Sequence, residues 1–380
     1  MVVPKFKVLL SFLSCLCAGV ASAQSISPDE GLQAQYEEIF YSIAADGDKG
    51  FQGTPTSDML ENAISKLGPL AKAEHGPSAG LLGSIYIGFF GDQIEPDFSK
   101  ARSSFLIAMN ARDQFPRSVA CLNLAFLSMD AVSESEDWLE VRTFAECARE
   151  DDDLAGEVAK PLAFSYLFGP DQEAQISKAE PLLREALLVD PEDGHSTYLL
   201  AKGLRDSWFE ETNHEEGCQK FIVASELEEM RAYWYAGMCY LNGIHVEKNE
   251  GTAFKWVSLA AESGEVEGLI SVAVMHALGQ GTEVSRDKAA ASYEAAIHAA
   301  PRGSAKQGHA LRGLGSMHAF GELEDGNGLF GYTMLVLAEE FGDDQAPLLL
   351  QRFDDLEPDA RKQIEIEKKR IRELYDLPTD

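Results

Sequence analysis

The clearest pattern of apolar and polar positions lies between Ala232 and Gly264. Two segments there, AYWYAGMCYLNG and TAFKWVSLAAESG, place apolar and small residues three and four positions apart. That spacing puts the apolar residues on one face of a helix. The pattern therefore predicts two short helices joined in a hairpin, and weaker copies of the hairpin recur along most of the chain.

A small residue stands in the middle of the second segment, and the same arrangement recurs at a nearly constant step. The copies centre on Ala108, Ala145, Ala186, Ala224, Ala260, Ala296 and Ala338, which are separated by steps of 37, 41, 38, 36, 36 and 42 residues. A period near 36 residues is typical of proteins built from stacked helix pairs. The longest step contains the turn-rich insertion ELEDGNG, which we expect to lie in a loop.

The first helix of each unit carries a pattern of its own. A small residue, an aromatic residue or histidine, and a glycine follow one another at intervals of three. We expect the small residue to admit a neighbouring backbone and the glycine to end the helix in the left-handed conformation. The copies are Gly237, Tyr240 and Gly243; Ala163, Tyr166 and Gly169; Ala273, His276 and Gly279; and Gly315, His318 and Gly321.

Together these motifs resemble the Sel1-like repeat, a relative of the tetratricopeptide repeat. The resemblance is strongest from Ala232 to Gly264 and continues from Glu265 to Ala300. It implies an all-α fold, a right-handed α-solenoid of stacked antiparallel helix pairs whose first helices line a concave surface. The expected divisions are a signal peptide (1–23), an irregular helical hairpin (24–77), the repeat solenoid (78–345) and a C-terminal capping helix (346–380).

The N-terminal residues have the pattern of a secretory signal peptide. A short basic start precedes an apolar run over 8–20, and an A-x-A sequence ending at Ala23 is typical of a cleavage site. The alternative is an uncleaved anchor. We therefore expect a periplasmic or secreted protein of a Gram-negative bacterium, with no membrane span in the mature chain.

The formal net charge is −31, and the acidic residues are scattered along the chain. Such a surface repels nucleic acid and anionic lipid headgroups. It favours a basic partner or simply solubility. We therefore expect a protein or peptide partner and no nucleic acid, and the oligomeric state stays open.

Four cysteines remain after removal of the signal peptide, and an even number in an exported chain indicates disulfides. Four cysteines allow three pairings. In the expected fold, Cys121 and Cys147 lie level on the two helices of one hairpin, while Cys218 and Cys239 lie on adjacent helices of successive units. We predict Cys121–Cys147 and Cys218–Cys239, with free buried thiols as the alternative.

Candidate catalytic motifs all have a structural explanation. Ser285 and Lys288 match S-x-x-K, a nucleophile motif of serine β-lactamases, but Ser285 precedes a second helix, where serine serves as an N-cap. His276 and His318 occupy the aromatic position of the repeat, and the Cys and His spacings match no zinc motif. We predict no catalytic residue, no metal site and no cofactor.

The residues that stacking does not explain define a candidate partner site. If Ala236 and Gly237 face the stack, Trp234, Tyr235 and Met238 point the other way. Shifting these positions by the repeat step predicts an apolar stripe that marks a protein-binding surface. The stripe consists of Phe164, Tyr198, Trp234, Tyr235, Met238, Ile270 and Val274. The alternative is that these side chains contact neighbouring first helices.

The sequence therefore favours an exported scaffold or adaptor that binds a protein or peptide on its concave face. The resemblance leaves envelope signalling, secretion and host interaction open as roles. The alternative function is a cell-wall-related binder or weak hydrolase of the penicillin-binding Sel1-like type.

Overall fold

The computed structural model describes residues 30–43, 55–111, 117–132, 137–353 and 358–379, and all regular secondary structure within these ranges is helical. The predicted signal peptide lies outside them. By their contacts, the residues divide into two compact units. The N-terminal unit ends at Glu192 and includes Trp208–Glu210, whereas the C-terminal unit comprises Asp193–Ser207 and the chain from Glu211.

The N-terminal unit consists of helices that pack in chain order, each against the next long helix. Short 3₁₀ turns precede two of them, at Asp152–Leu154 and Ile176–Lys178. The helices are α1 (Glu30–Ile43), α2 (Ser57–Lys72), α3 (Gly76–Tyr86), α4 (Phe98–Asn110), α5 (Arg117–Ala131), α6 (Trp138–Ala148), α7 (Ala155–Phe168), the short α8 (Gln172–Gln175) and α9 (Ala179–Val189).

The C-terminal unit repeats the same helix-pair packing, and a 3₁₀ turn at Met230–Ala232 leads into its second pair. Its last helix packs against α17 and places Ile371 in the core of the final pairs. The helices are α10 (Gly194–Arg205), α11 (His214–Glu226), α12 (Tyr233–Asn242), α13 (Glu250–Glu262), α14 (Val266–Leu278), α15 (Arg286–Ala299), α16 (Ala305–Ala319), α17 (Gly328–Glu340), α18 (Ala346–Leu350) and α19 (Pro358–Leu374).

The periodic small residues are the points where the pairs pack together. All seven predicted alanines lie in second helices (α4, α6, α9, α11, α13, α15 and α17), and all are buried. A methyl side chain lets two helix backbones approach closely while still excluding water. The predicted α-solenoid of stacked antiparallel helix pairs is confirmed.

In several pairs the loop between the two helices is closed by the same backbone contact. In two successive pairs the N–H of the residue that caps the second helix donates to the carbonyl of a residue near the end of the first helix: Asn249 to Tyr240 (2.9 Å) and Ser285 to His276 (2.8 Å). The Ser285 Oγ accepts a hydrogen bond from the backbone N–H of Lys288 (3.4 Å), so its predicted role as an N-cap is confirmed.

The glycines that end the first helices agree with the prediction in three copies and differ in one. Gly243, Gly279 and Gly321 have φ values of 68°, 72° and 70°, the left-handed conformation. Gly169 instead has φ −74° and ψ 173°, so the prediction is wrong there. The next residue is Pro170, and the residue before a proline is pushed towards extended conformations.

Both predicted disulfides are confirmed, one in each unit. Cys121 of α5 is bonded to Cys147 of α6 within one pair, with Cα atoms 5.9 Å apart. Cys218 of α11 is bonded to Cys239 of α12 in the next pair, with Cα atoms 5.8 Å apart. Among the described helices, none combines the length and apolar character needed to cross a membrane.

Candidate protein-interaction surface

Two of the seven predicted stripe residues belong to the core. In the N-terminal unit, Phe164 is 3% exposed, and its ring packs edge-on against Phe168 (5.9 Å between centroids). In the C-terminal unit, Tyr198 is 8% exposed and packs against Phe221 (6.0 Å). A partner could reach little of either side chain.

The other five stripe residues are partly exposed and lie on two helices of the C-terminal unit. Trp234, Tyr235 and Met238 are on α12, whereas Ile270 and Val274 are on α14. The Trp234 indole N–H donates to Ser271 Oγ on α14 (2.9 Å), which ties the two first helices together. Contact between first helices, the alternative considered above, thus explains part of the stripe. The exposed remainder is the part that could meet a partner.

Aromatic rings form a stack around Tyr235. Its ring lies nearly parallel to that of Phe221 on α11, with centroids 4.4 Å apart and planes 12° apart. Trp234 approaches the same ring edge-on at 4.9 Å, and Tyr198 lies 6.1 Å away. Contacts of this kind fix ring orientation and add about 0.5–1.5 kcal/mol per pair beyond area burial. The stack gives the surface a rigid aromatic base.

Two cations from α10 lie over this base. The Arg205 guanidinium is 4.3 Å from the centre of the Tyr235 ring, and the Lys202 ammonium is 5.7 Å from it. Both pair with Asp206, through Arg205 Nε (2.6 Å) and Lys202 Nζ (2.7 Å). Burial opposes ionisation of Asp206, but the hydrogen bonds from the two cations outweigh it and lower the pKa of its carboxyl.

We call this group the Tyr235 cluster; it consists of Lys202, Arg205, Asp206, Phe221, Trp234 and Tyr235. Sequence reasoning found its aromatic residues on α12 but not the charged ones. The available signal was the pair Lys202 and Arg205, one helical turn apart on a helix without acids in a strongly acidic chain. A third cation, Arg231, packs 5.0 Å from the centre of the Tyr198 ring and is held by Glu229.

One carboxyl near this surface is poorly solvated. Glu265 precedes α14, and its Oε2 is buried without a hydrogen-bond partner among the described residues. Burial, followed by the negative charge of Glu267, raises the pKa of Glu265 to about 7. The part of the chain that the structure describes holds no group of three or more His, Cys, Asp or Glu side chains arranged to bind a metal ion.

Comparison with known proteins agrees with this architecture. The family model described as Sel1 repeat matches residues 77–103, 231–265 and 266–297. The chain contains three Sel1 repeats. The second and third matched Sel1 repeats cover α12 to α15, which include the Trp234, Tyr235 and Met238 side chains. No curated protein sequence matches the chain.

A solved structure shares the fold of this chain. A crystal structure of c5321, a protective antigen present in uropathogenic Escherichia coli strains displaying an SLR fold, superposes with a TM-score of 0.55 at 14% identity. The match covers 81% of this chain and 64% of that protein, so the chain spans less than two thirds of its length. A Sel1 repeat protein from Oxalobacter formigenes matches at 17% identity, covering 90% of this chain and 93% of its own, with a TM-score of 0.46.

Proposed function

We propose that the protein is a non-catalytic scaffold that binds a protein or peptide partner on the first helices of its C-terminal unit. The binding surface comprises the Tyr235 cluster together with Met238, Ile270 and Val274. Sel1-type and tetratricopeptide-type repeats generally serve as interaction scaffolds, which supports this assignment. The finer roles follow from the resemblance alone: an exported adaptor in envelope signalling, secretion or host interaction.

The observation that carries the proposal is the combination of rigidity and partial exposure at one place. The Tyr235 ring packs against both Phe221 (4.4 Å between centroids) and the Arg205 guanidinium (4.3 Å from the ring centre), yet Tyr235, Trp234 and Met238 all keep exposed surface. Side chains that are already ordered lose little conformational entropy when a partner covers them. Aromatic residues and arginine are also the residue types that dominate binding energy at protein interfaces.

The test compares two apolar-to-polar variants of the full chain. Met238→Gln changes the proposed surface, whereas Leu259→Gln changes an apolar residue on the second helix α13 that is 40% exposed. Each variant, carrying an affinity tag, is expressed in its native host, and its captured proteins are quantified by mass spectrometry. We expect Met238→Gln to lose a partner that Leu259→Gln retains. Identical capture by wild type and both variants would refute the proposal.

A further inference from the structure

Two histidines replace tyrosine at the aromatic position of the repeat in the C-terminal unit. In the first helices α7 and α12 this position holds Tyr166 and Tyr240, whereas in α14 and α16 it holds His276 and His318. Histidine is the side chain whose charge ordinarily changes between about pH 5 and pH 8. The replacement therefore puts a titratable group at a packing position in two successive helix pairs.

Both imidazoles pack against phenylalanine rings and bury one nitrogen. The His276 ring lies 5.2 Å from that of Phe254 on α13, with planes 75° apart, and the His318 ring lies 5.0 Å from that of Phe330 on α17, with planes 82° apart. In each imidazole Nδ1 is buried without a hydrogen-bond partner among the described residues. A protonated ring carries N–H on both nitrogens, so it would bury a charge and also a donor without an acceptor.

The surroundings of His276 oppose its protonation. Burial lowers the pKa of His276 below the usual 6.5, and the Lys288 ammonium on α15 acts in the same direction. A hydrogen bond with the Glu283 backbone, in the loop before α15, favours the protonated ring but does not outweigh them. On the α13 side the ring contacts Phe254, and the Glu265 carboxyl described above lies at the opposite end of α14.

Burial also outweighs the charges around His318. It lowers the pKa of His318 below 6.5, although the carboxylates of Glu294 on α15 and Asp325 in the loop before α17 act to raise it. Because both imidazoles have a lowered pKa in the folded state, the unfolded chain takes up these protons first. The stability that the neutral rings provide is therefore present above pH 6.5 and is lost as the pH falls below it.

We propose that His276 and His318 form an acid-sensitive device that loosens the last helix pairs of the C-terminal unit when the surroundings become acidic. Each imidazolium favours conformations in which water reaches the ring, so α14 loses its packing on α13, and α16 loses its packing on α17. The inference is independent of the proposed function, although α14 also carries Ile270 and Val274 of the proposed binding surface.

The first experiment measures urea unfolding of the C-terminal unit at several pH values. The fluorescence of Trp234 and Trp256 reports on this unit in a full chain whose other two tryptophans are replaced by phenylalanine, here the parent chain. His276→Tyr/His318→Tyr restores the residue found in earlier repeats, and His214→Tyr, which replaces an exposed histidine on α11, is the matched control. As the pH falls from about 7.5 to about 5, the midpoint of the parent chain should fall relative to that of the double variant and stay parallel to that of the control.

The second experiment does not depend on how well tyrosine fits. NMR of the parent chain with ¹³C-labelled histidine, assigned with single substitutions, should show that both rings stay neutral below pH 6.5, the ordinary pKa of histidine. Glu265 titrates in every chain compared, so its own pH dependence cancels in the unfolding experiment.

Three results would overturn the inference. The first is a set of parallel midpoints for the parent chain and the double variant across the pH range. The second is a parent midpoint that rises relative to the double variant on acidification, which would mean that the phenylalanine rings stabilise the imidazolium. The third is protonation of both rings at or above pH 6.5 in the NMR titration, which also decides the matter if the double variant does not fold.

Discussion

The disulfide of the C-terminal unit provides a quantitative test of how this chain is stabilised. Cys218 and Cys239 are 21 residues apart, and opening a loop of that length gives the unfolded chain about 11 cal/mol/K of additional entropy. At 25 °C this corresponds to about 3 kcal/mol of lost stability. The perturbation is the double variant Cys218→Ala/Cys239→Ala, because both side chains are buried and alanine introduces no polar group there.

The four tryptophans allow the two units to be followed separately. Trp138 and Trp208 lie in the N-terminal unit, whereas Trp234 and Trp256 lie in the C-terminal unit. Replacing the first two by phenylalanine leaves fluorescence that reports on the C-terminal unit alone. With a urea m-value of about 2 kcal/mol/M, a loss of about 3 kcal/mol lowers the midpoint of that unit by about 1 to 2 M.

The other disulfide supplies the control. Because each repeat contacts only its neighbours, stability in such an array is local. In the converse background, in which Trp234 and Trp256 are replaced by phenylalanine instead, loss of Cys218–Cys239 should therefore leave the transition reported by Trp138 and Trp208 nearly unchanged. Loss of Cys121–Cys147 should have the reverse effect. An unchanged midpoint in the C-terminal unit, or an equal shift in both units, would refute this reasoning.

Two further predictions concern packing and protonation. A Cβ on Gly268 would lie 2.7 Å from the Ala261 backbone nitrogen, so Gly268→Ala should lower the free energy of unfolding, measured in urea, by about 1–3 kcal/mol. The control is Gly251→Ala, because the atom nearest to a Cβ there is 3.5 Å away, and this variant should leave the free energy of unfolding unchanged. Burial raises the pKa of Glu265 from 4.5 to about 7. Between these two pH values the folded state keeps a proton on Glu265 that the unfolded state has released. The free energy of unfolding therefore falls as the pH rises from 4.5 to about 7. Glu265→Gln should match wild type at pH 4 and exceed it by about 1–2 kcal/mol, after allowance for solvent screening, at pH 8 in thermal melts. A difference that is constant with pH, or one shared by the exposed-residue variant Glu262→Gln, would contradict the second prediction.

Helix pairing was predictable because it depends on residues that recur with the repeat. Every unit must bury the same face, so its small residues return at the same step, and Ala108 to Ala338 locate all seven second helices from Phe98 onward. The disulfides followed, since antiparallel packing places Cys121 level with Cys147. A local constraint can override the repeat. Pro170 restricts the residue before it, so Gly169 has an extended backbone and not the left-handed one that the repeat pattern predicts.

The candidate site was only partly predictable, because its contacts do not follow the repeat step. Arg205 reaches Tyr235 through a long side chain that crosses from one first helix to the next. Such contacts depend on rotamers and on the neighbouring helix, and periodicity contains no information on either. The same limit explains Tyr198: its burial results from Phe221, Tyr235 and Arg231 closing over it, which the apolar pattern of α10 alone does not reveal.

The most direct test of the central claim is whether a partner touches the first helices of the C-terminal unit in the native cell. A photoreactive phenylalanine analogue is placed at Met238 in one variant and at Leu259 on α13 in another, and both are irradiated in cells that express the full chain. The account predicts covalent adducts with a partner protein from position 238 and none of the same partner from position 259. Adducts of equal yield from both positions, or none from position 238, would contradict it.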